Sequence, residues 1–250
     1  MPWTFAHPAA ILPLRRLFPD GRLLVGLVMG SLVPDLAYYL GGPATGPWGT
    51  LAHSLAGWWW LDAPLGALLA GLWLRGSAWI AAPLPQPYRS ALQSLAPVPW
   101  ADLRLWGLLL LASATGAATH LLWDGFTHGP GFFVQHWALL RSELGLVDGR
   151  PWQVFNALQH LSSLAGLGLL WAVHGRWWRR AGAQAAMGVD GRLACLGVAA
   201  LLSLLLGALL TLPEGAWAGQ IHAWVVRGVV RATVLFVAAY ALLAWWWRER

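Results

Sequence analysis

Histidine and aspartate residues suited to binding a metal ion lie at the ends of several apolar segments. His120 and Asp124 are four residues apart, at the end of an apolar run that begins at Leu105. This spacing is about one helical turn, so both side chains leave the same face of a helix. An ionisable pair in a membrane-length segment is costly, which indicates a functional site. Residues of the same kind lie at other segment ends, namely His7, Asp35, His53 and His128.

The combination of imidazole and carboxylate groups favours a divalent ion. Such ligands suit zinc or similar first-row ions, and an aspartate can bridge two ions that together polarise a phosphoryl oxygen and activate water. We therefore expect a divalent metal as cofactor, zinc being the best fit, with Asp35 and Asp124 also acting as catalytic residues. The expected ligands are His7, Asp35, His53, His120, Asp124 and His128. The alternative for His120 and Asp124 is a hydrogen-bonded pair that holds two helices together.

The composition predicts a membrane protein. Of the 250 residues, 58% are hydrophobic and 10% are charged, whereas a soluble domain carries about 25% charged residues. We predict an all-α fold, a polytopic transmembrane helix bundle, in a single membrane domain over 1–250. The motif-bearing core would occupy 1–165, and 166–250 would add further hydrophobic spans. The net charge of +6 comes from arginines that flank the apolar runs. They form no basic patch with interleaved aromatic residues, so we expect no nucleic-acid partner.

Six apolar segments are each close to the ~20 residues that a helix needs to cross a bilayer. They cover about 22–40, 54–74, 105–124, 154–174, 193–212 and 224–247. The fourth is the weakest, because Gln153, Asn156, Gln159 and His160 make its first half polar. Segment 8–18 is too short to span and is predicted to be a half-length helix that starts at His7 and Pro8.

The distribution of arginine predicts the topology. Twelve of the sixteen arginines lie in 15–22, 75–104, 175–192 and the C-terminal residues, whereas 41–53 has none. Cytoplasmic loops carry the excess of basic residues, so the C-terminus and 75–104 should be cytoplasmic. At ~1.5 Å of rise per residue, His7 and Asp35 would reach a similar height in a helical hairpin. His53, His120, Asp124 and His128 would lie on the same side, so the candidate site should face outward.

The motifs that carry these residues resemble a known family as a set. They are Trp3-Thr-Phe-Ala-His7-Pro8-Ala9-Ala10, Gly30-Ser-x-x-Pro34-Asp35, His53-Ser54 and His120-x3-Asp124-x-Phe-Thr-His128. The set resembles domain-of-unknown-function family 4184, which consists of uncharacterised bacterial membrane proteins. The resemblance covers about the first 165 residues, through Gln159-x-x-Ser-Ser163, and the last two spans match only in being hydrophobic. It implies a multi-pass protein of the bacterial cytoplasmic (inner) membrane.

The order of the six residues is also similar to that in membrane-bound metal-dependent hydrolases of the YdjM type. It resembles, more remotely, the zinc-dependent phospholipase C fold, an all-helical trinuclear zinc phosphodiesterase. That likeness implies one ion held by Asp35, His53, His120 and Asp124, a second held by His7 with Asp124 bridging, and a third at His128. The phospholipase pattern also has a further His-x3-Glu, which this chain lacks, so the likeness does not supply the remaining ligands of the third ion.

Two functions remain open from the sequence. The first is a membrane-embedded metal-dependent hydrolase whose partners are membrane lipid and a phosphoester or lipid-like substrate. The second is a non-enzymatic membrane protein, such as a transporter or an assembly factor, with a structural or metal-binding polar cluster, because intramembrane polar residues also mark ion pathways. Bound zinc together with phosphodiester turnover would favour the first, and metal-free protein with an unchanged fold would favour the second.

Overall fold

The computed structural model describes residues 3–41, 46–147, 150–182, 191–212 and 221–248. Helices make up most of these residues, so the predicted all-α class is confirmed. The chain divides into two compact units. The first comprises Met1–Leu74 and Pro97–Arg176, and the second comprises Arg75–Ala96 and Trp177–Arg250. The single domain over 1–250, with its core in 1–165, stays a prediction.

The first unit begins with two short 3-10 turns, Thr4–Ala9 and Leu14–Leu17. The half-length helix predicted over 8–18 is therefore wrong. Pro8 and Pro13 lack the backbone N–H that an α-helix needs for its i→i−4 hydrogen bonds, which explains the difference. Helix α1, Gly21–Leu32, follows. It is capped by Asp20, whose carboxylate accepts a hydrogen bond from the Arg22 backbone N–H at 2.8 Å.

The end of the first apolar segment and the start of the second are irregular. After α1 come a 3-10 turn, Val33–Asp35, and helices α2, Leu36–Tyr39, α3, Pro47–Ala52, and α4, Leu55–Gly57. A π-helical turn, Trp58–Asp62, then leads into α5, Ala63–Arg75. In that turn the Ala63 N–H donates to the Trp58 carbonyl, five residues back. Such single π turns are frequent at functional sites.

Helix α8 is the central element of the first unit. It covers Leu103–Thr127 and packs along α1. A Cβ atom at Gly30 would lie 2.0 Å from the Ser113 carbonyl oxygen, and one at Gly116 would lie 2.1 Å from the Leu27 carbonyl oxygen. The two backbones therefore touch, as small residues allow between helices in membranes. This close approach aligns the end of α1 with the last turns of α8.

A connection with its own structure follows α8. It contains α9, Phe132–His136, a 3-10 turn, Ala138–Arg141, and two strands, β1, Glu143–Val147, and β2, Arg150–Gln153. The strands pair antiparallel, with Glu143 opposite Gln153 and Val147 opposite Arg150. Helix α10, Val154–Gly182, comes next.

The second unit contains two short helices and a long helical pair. The short ones, which precede α8 in the chain, are α6, Ser77–Ala81, and α7, Tyr88–Gln93. The long ones are α11, Gly191–Thr211, and α12, Ile221–Arg248. A Cβ atom at Gly207 would lie 2.8 Å from the Gly228 carbonyl oxygen, so these helices also pack closely. Arg231 Nη1 donates to the Leu210 carbonyl at 2.9 Å and so satisfies the end of α11.

Four helical stretches in the described residues are long and apolar enough to cross a membrane. They are Gly21–Tyr39, Leu103–His136, Gly191–Thr211 and Trp224–Arg248. They correspond to the first, third, fifth and sixth predicted spans, and they support a membrane protein. The second predicted span is divided by the π turn, which leaves α5 with 13 residues. The fourth lies in α10, which has 29 residues but a polar beginning.

Candidate metal centre

Two carboxylates and two imidazoles face one another in the first unit. The Nε2 atom of His120 lies 3.3 Å from Asp124 Oδ2 and 3.7 Å from Asp35 Oδ1. The Nε2 atom of His53 lies 3.5 Å from each of the same two oxygens. Two donors bound to one tetrahedral zinc ion at about 2.0–2.1 Å would be separated by about 3.4 Å. The spacing of these atoms therefore fits shared coordination.

Asp124 lies at the centre of the cluster. Its Oδ1 atom is 3.6 Å from His7 Nε2 and 3.3 Å from His128 Nδ1, while its Oδ2 atom faces His53 and His120. The His7 ring is stacked on the His120 ring, with centroids 3.7 Å apart. Because each Asp124 oxygen faces its own pair of imidazoles, this carboxylate is placed to bridge two metal ions.

Four chain segments bring these residues together. His120 and Asp124 lie one turn apart on α8, and His128 follows that helix. Asp35 ends the 3-10 turn after α1, where Pro34 occupies the first turn. His7 lies in the first 3-10 turn, and His53 follows α3. The six residues predicted as ligands thus lie in one cluster. His7 lies in a 3-10 turn rather than in the predicted half-length helix.

Backbone carbonyls orient two of the imidazoles. The Nδ1–H of His120 donates to the Ser31 carbonyl at 2.8 Å, and the Nδ1–H of His53 donates to the Gly49 carbonyl at 2.8 Å. A carbonyl oxygen only accepts, so Nδ1 carries a proton and Nε2 is the ring nitrogen that faces the carboxylates. Metal-binding histidines are typically held in this way. An Nε2 atom this close to a carboxylate oxygen requires positive charge there, supplied either by a proton on the ring or by a metal ion.

Several polar atoms of the cluster are buried and lack a hydrogen-bond partner among the described residues. They are both ring nitrogens of His7, Nε2 of His120 and Oδ1 of Asp124. His7 and His120 are fully buried, and Asp35 and Asp124 are 2% and 8% exposed. Buried polar side chains are nearly always paired. The donor set and the unpaired atoms together fit a divalent cation.

The electrostatic environment differs between the buried His7 and the partly exposed His53. Burial, assisted by the neighbouring His120 ring, lowers the pKa of His7 to about 3, so the His7 imidazole is neutral. Burial by itself would lower the pKa of His53, but hydrogen bonds to the Asp124 and Asp35 carboxylates raise it to about 10. The carboxylates therefore favour positive charge at the position of the His53 Nε2 atom.

Two sets of three residues have donor atoms within 4.8 Å of one another: His7 with Asp35 and His120, and His53 with His120 and Asp124. Three protein ligands and one open position are typical of a catalytic zinc site. The side chains of His53 and His128 are each 26% exposed, so the cluster is accessible from their side.

The sequence did not identify the groups that hold these ligands. Thr4 Oγ1 donates to Asp35 Oδ2 at 2.5 Å, and this threonine was not singled out although it lies three residues before His7. The Ser31 and Gly49 carbonyls leave no signal in a sequence, because every residue has a carbonyl. His136 lies outside the cluster; it is exposed, and its Nδ1–H donates to the Phe132 carbonyl at 2.7 Å.

An apolar groove lies beside the cluster. It has a volume of about 480 Å³, and we call it the Trp123 groove. The Trp123 ring meets the His7 ring edge-on, with centroids 5.3 Å apart, and so joins the groove to the cluster. The groove is lined by Ala10, Pro13, Leu14, Thr119, Leu122, Trp123, Phe126, Thr127 and Leu158.

The chain matches a known protein family along most of its length. The model of a domain of unknown function, DUF4184, matches residues 1–245. The match extends beyond residue 165, where the motifs end, and includes α11 and most of α12. No curated protein and no solved structure is similar enough to count as a match. Because the match covers nearly the whole chain, the protein belongs to the DUF4184 family.

Proposed function

We propose that this protein is a membrane-embedded, metal-dependent hydrolase of a phosphoester, with a lipid-like substrate. The observation that carries the proposal is the position of Asp124 among His7, His53, His120 and His128, with 3.3–3.6 Å between its oxygens and their nitrogens. A zinc ion bound there would lower the pKa of a coordinated water and polarise a phosphoryl oxygen.

The two aspartates have different roles in this proposal. Asp35 is 2% exposed, and its Oδ2 atom accepts the Thr4 hydroxyl, so it serves as a fixed ligand. Asp124 is 8% exposed, with a 12% exposed side chain, and lies next to the accessible His128. Asp124 is therefore the better placed group to accept a proton from an attacking water.

The Trp123 groove supports a substrate with a hydrocarbon portion. It runs along α8, within the candidate span Leu103–His136, and its lining is almost entirely apolar. A water-soluble phosphoester would leave this surface without a function, whereas an acyl or similar chain would fill it.

The proposed setting is the cytoplasmic membrane of a bacterium. Six spans, a cytoplasmic C-terminus and a site toward the outer face follow from the arginine pattern and the positive-inside rule. In this arrangement the second span is α5 together with the π turn before it, and the fourth span is α10.

A non-enzymatic role is the alternative, and the burial of His7 and His120 favours it. Structural metal sites are closed, with no position for substrate, and both rings are fully buried. A transporter or an assembly factor with such a cluster would bind a metal without hydrolysing anything.

Protein purified in detergent tests both functions. We expect about one or two zinc ions per chain, measured by inductively coupled plasma mass spectrometry. We also expect hydrolysis of bis-para-nitrophenyl phosphate and of a phospholipid, lost with a chelator and restored by zinc. Bound zinc without turnover would support the structural role, and folded protein that binds no divalent ion would overturn the metal centre itself.

A further inference from the structure

A second groove lies on the His128 side of the candidate metal centre. It has a volume of about 560 Å³ and begins at Gly129, the residue after His128. Unlike the Trp123 groove, it carries three polar side chains, those of Gln135, Arg141 and Gln153. We call it the Arg141 groove.

Among the described residues that line this groove, Arg141 is the only charged one. Its side chain is exposed, and among the described residues no carboxylate forms an ion pair with it. A guanidinium presents five donors in a planar fork that matches the oxygens of a carboxylate or a phosphate. The groove therefore offers a guanidinium to an anion in a pocket that begins one residue after His128.

The polar residues of the groove are held in defined positions. Arg141 ends the 3-10 turn Ala138–Arg141, directly before the hairpin. Gln153 ends β2 and pairs with Glu143 on β1, and the Val154 N–H donates to the Ser142 carbonyl at 3.0 Å. Gln135 donates from its side-chain nitrogen to the Gly129 carbonyl, which leaves its amide oxygen for other contacts. Arg141 and Gln153 thus both lie at the base of one hairpin.

We propose that the Arg141 groove binds an anionic group of the substrate that is distinct from the reacting phosphoester. This inference rests on the proposed hydrolase function, because it concerns the substrate of the same site. The reacting phosphoryl group lies at Asp124 and His128, the hydrocarbon portion lies along Trp123, and the second oxyanion lies at Arg141. The substrate is then an amphiphile with an anionic headgroup, rather than one whose headgroup ends in a neutral or cationic group.

Two phospholipids that differ by one carboxylate test this inference. Phosphatidylserine is phosphatidylethanolamine with a carboxylate added to the headgroup. Binding of each to the detergent-solubilised protein, with and without chelator, can be measured by native mass spectrometry. We expect about tenfold tighter binding of phosphatidylserine, the size expected for one charge-assisted hydrogen bond.

Two substitutions identify the source of the preference. Arg141→Gln should bind both lipids equally, with its metal content and elution volume unchanged, because the side chain is exposed. Arg104→Gln is the matched control; Arg104 is also exposed, but it lies at the opposite end of α8. It should keep the preference. Equal binding of the two lipids by the wild type, or an unchanged preference in Arg141→Gln, would overturn the inference.

Turnover separates this inference from the proposed function. If the protein hydrolyses phospholipids, Arg141→Gln should raise KM for phosphatidylserine about tenfold and leave kcat unchanged, with little effect on phosphatidylethanolamine. Hydrolysis of both lipids with no Arg141 effect overturns only the inference. No hydrolysis of any phosphoester overturns the proposed function, and the binding measurement then decides whether Arg141 recognises the headgroup.

Discussion

His120 and Asp124 face each other across one turn of α8, with 3.3 Å between Nε2 and Oδ2. The other ring nitrogen of His120 is tied to the Ser31 carbonyl on α1. The ring therefore cannot turn to offer Asp124 its Nδ1–H without breaking a buried hydrogen bond. A simple hydrogen-bonded pair, the structural alternative for these residues, requires a second proton on the ring. A cation shared by both atoms requires none.

Replacing Asp124 with asparagine tests that shared cation. Asp124→Asn keeps the shape of the side chain but removes its charge, and a neutral amide is a poor ligand for such ions. Zinc affinity should fall at least about 100-fold, since even the loss of a residue that only orients a ligand costs 10–100-fold. Hydrolytic activity should fall in parallel, while the elution volume in detergent stays unchanged.

The control for this variant is His136→Ala, at an exposed histidine that lies outside the cluster. It should change neither metal content nor activity. Full zinc binding by Asp124→Asn would show that His120 and Asp124 serve to hold the helices together.

The part of the site on α8 could be predicted from the sequence, because its signals are local. An apolar segment long enough to span and an i, i+4 pair place His120 and Asp124 on one face without any knowledge of neighbours. His7 was predicted to join them by counting residues through a helical hairpin. It does join them, although two 3-10 turns replace the helix because of Pro8 and Pro13.

Other features of the first unit depend on contacts that a sequence does not show. The β1–β2 hairpin was not predicted; all five residues of β1 are exposed, so the strand has no alternation of buried and exposed positions. The π turn before α5 divides a segment that reads as continuously apolar. The Ser31 carbonyl reaches His120 only through the packing of α1 against α8, whereas the Gly49 carbonyl lies four residues before His53 in the chain.

The close approach of α1 and α8 should be essential for the cluster. Gly116→Ala would place a Cβ atom 2.1 Å from the Leu27 carbonyl oxygen, so the helices must separate. We expect a loss of stability of about 1–3 kcal/mol, as for overpacked cores, and a decrease in bound metal. Thermal unfolding in detergent and metal analysis measure the two effects.

Gly107→Ala is the matched control for Gly116→Ala on the same helix. A Cβ atom at Gly107 has no neighbour within 4 Å among the described residues. Alanine has the higher helix propensity, so this variant should be unchanged or more stable by up to about 1 kcal/mol. Equal behaviour of the two variants would contradict the packing argument.

The orientation of the chain can be measured by cysteine labelling. Cys195, the only cysteine, is first replaced by alanine, and single cysteines are introduced as Thr50→Cys and Arg180→Cys. Both positions are exposed. In intact cells a membrane-impermeant maleimide should label the first and not the second, because basic segments stay in the cytoplasm. Labelling of the second from outside would reverse the proposed topology and place the site toward the cytoplasm.

Asp62 is a buried carboxylate that is not one of the six residues of the cluster. It is fully buried, and neither carboxylate oxygen has a hydrogen-bond partner among the described residues. A buried ionised carboxylate without a partner is costly, so a neutral side chain of the same shape should be tolerated or favoured. We therefore expect Asp62→Asn to keep or raise the unfolding temperature in detergent, and Asp62→Ala to lower it by leaving a cavity. Metal content should stay at the wild-type value in Asp62→Asn. A fall in bound zinc without a loss of stability would instead show that the Asp62 charge helps to hold the ion beside His53 and His120.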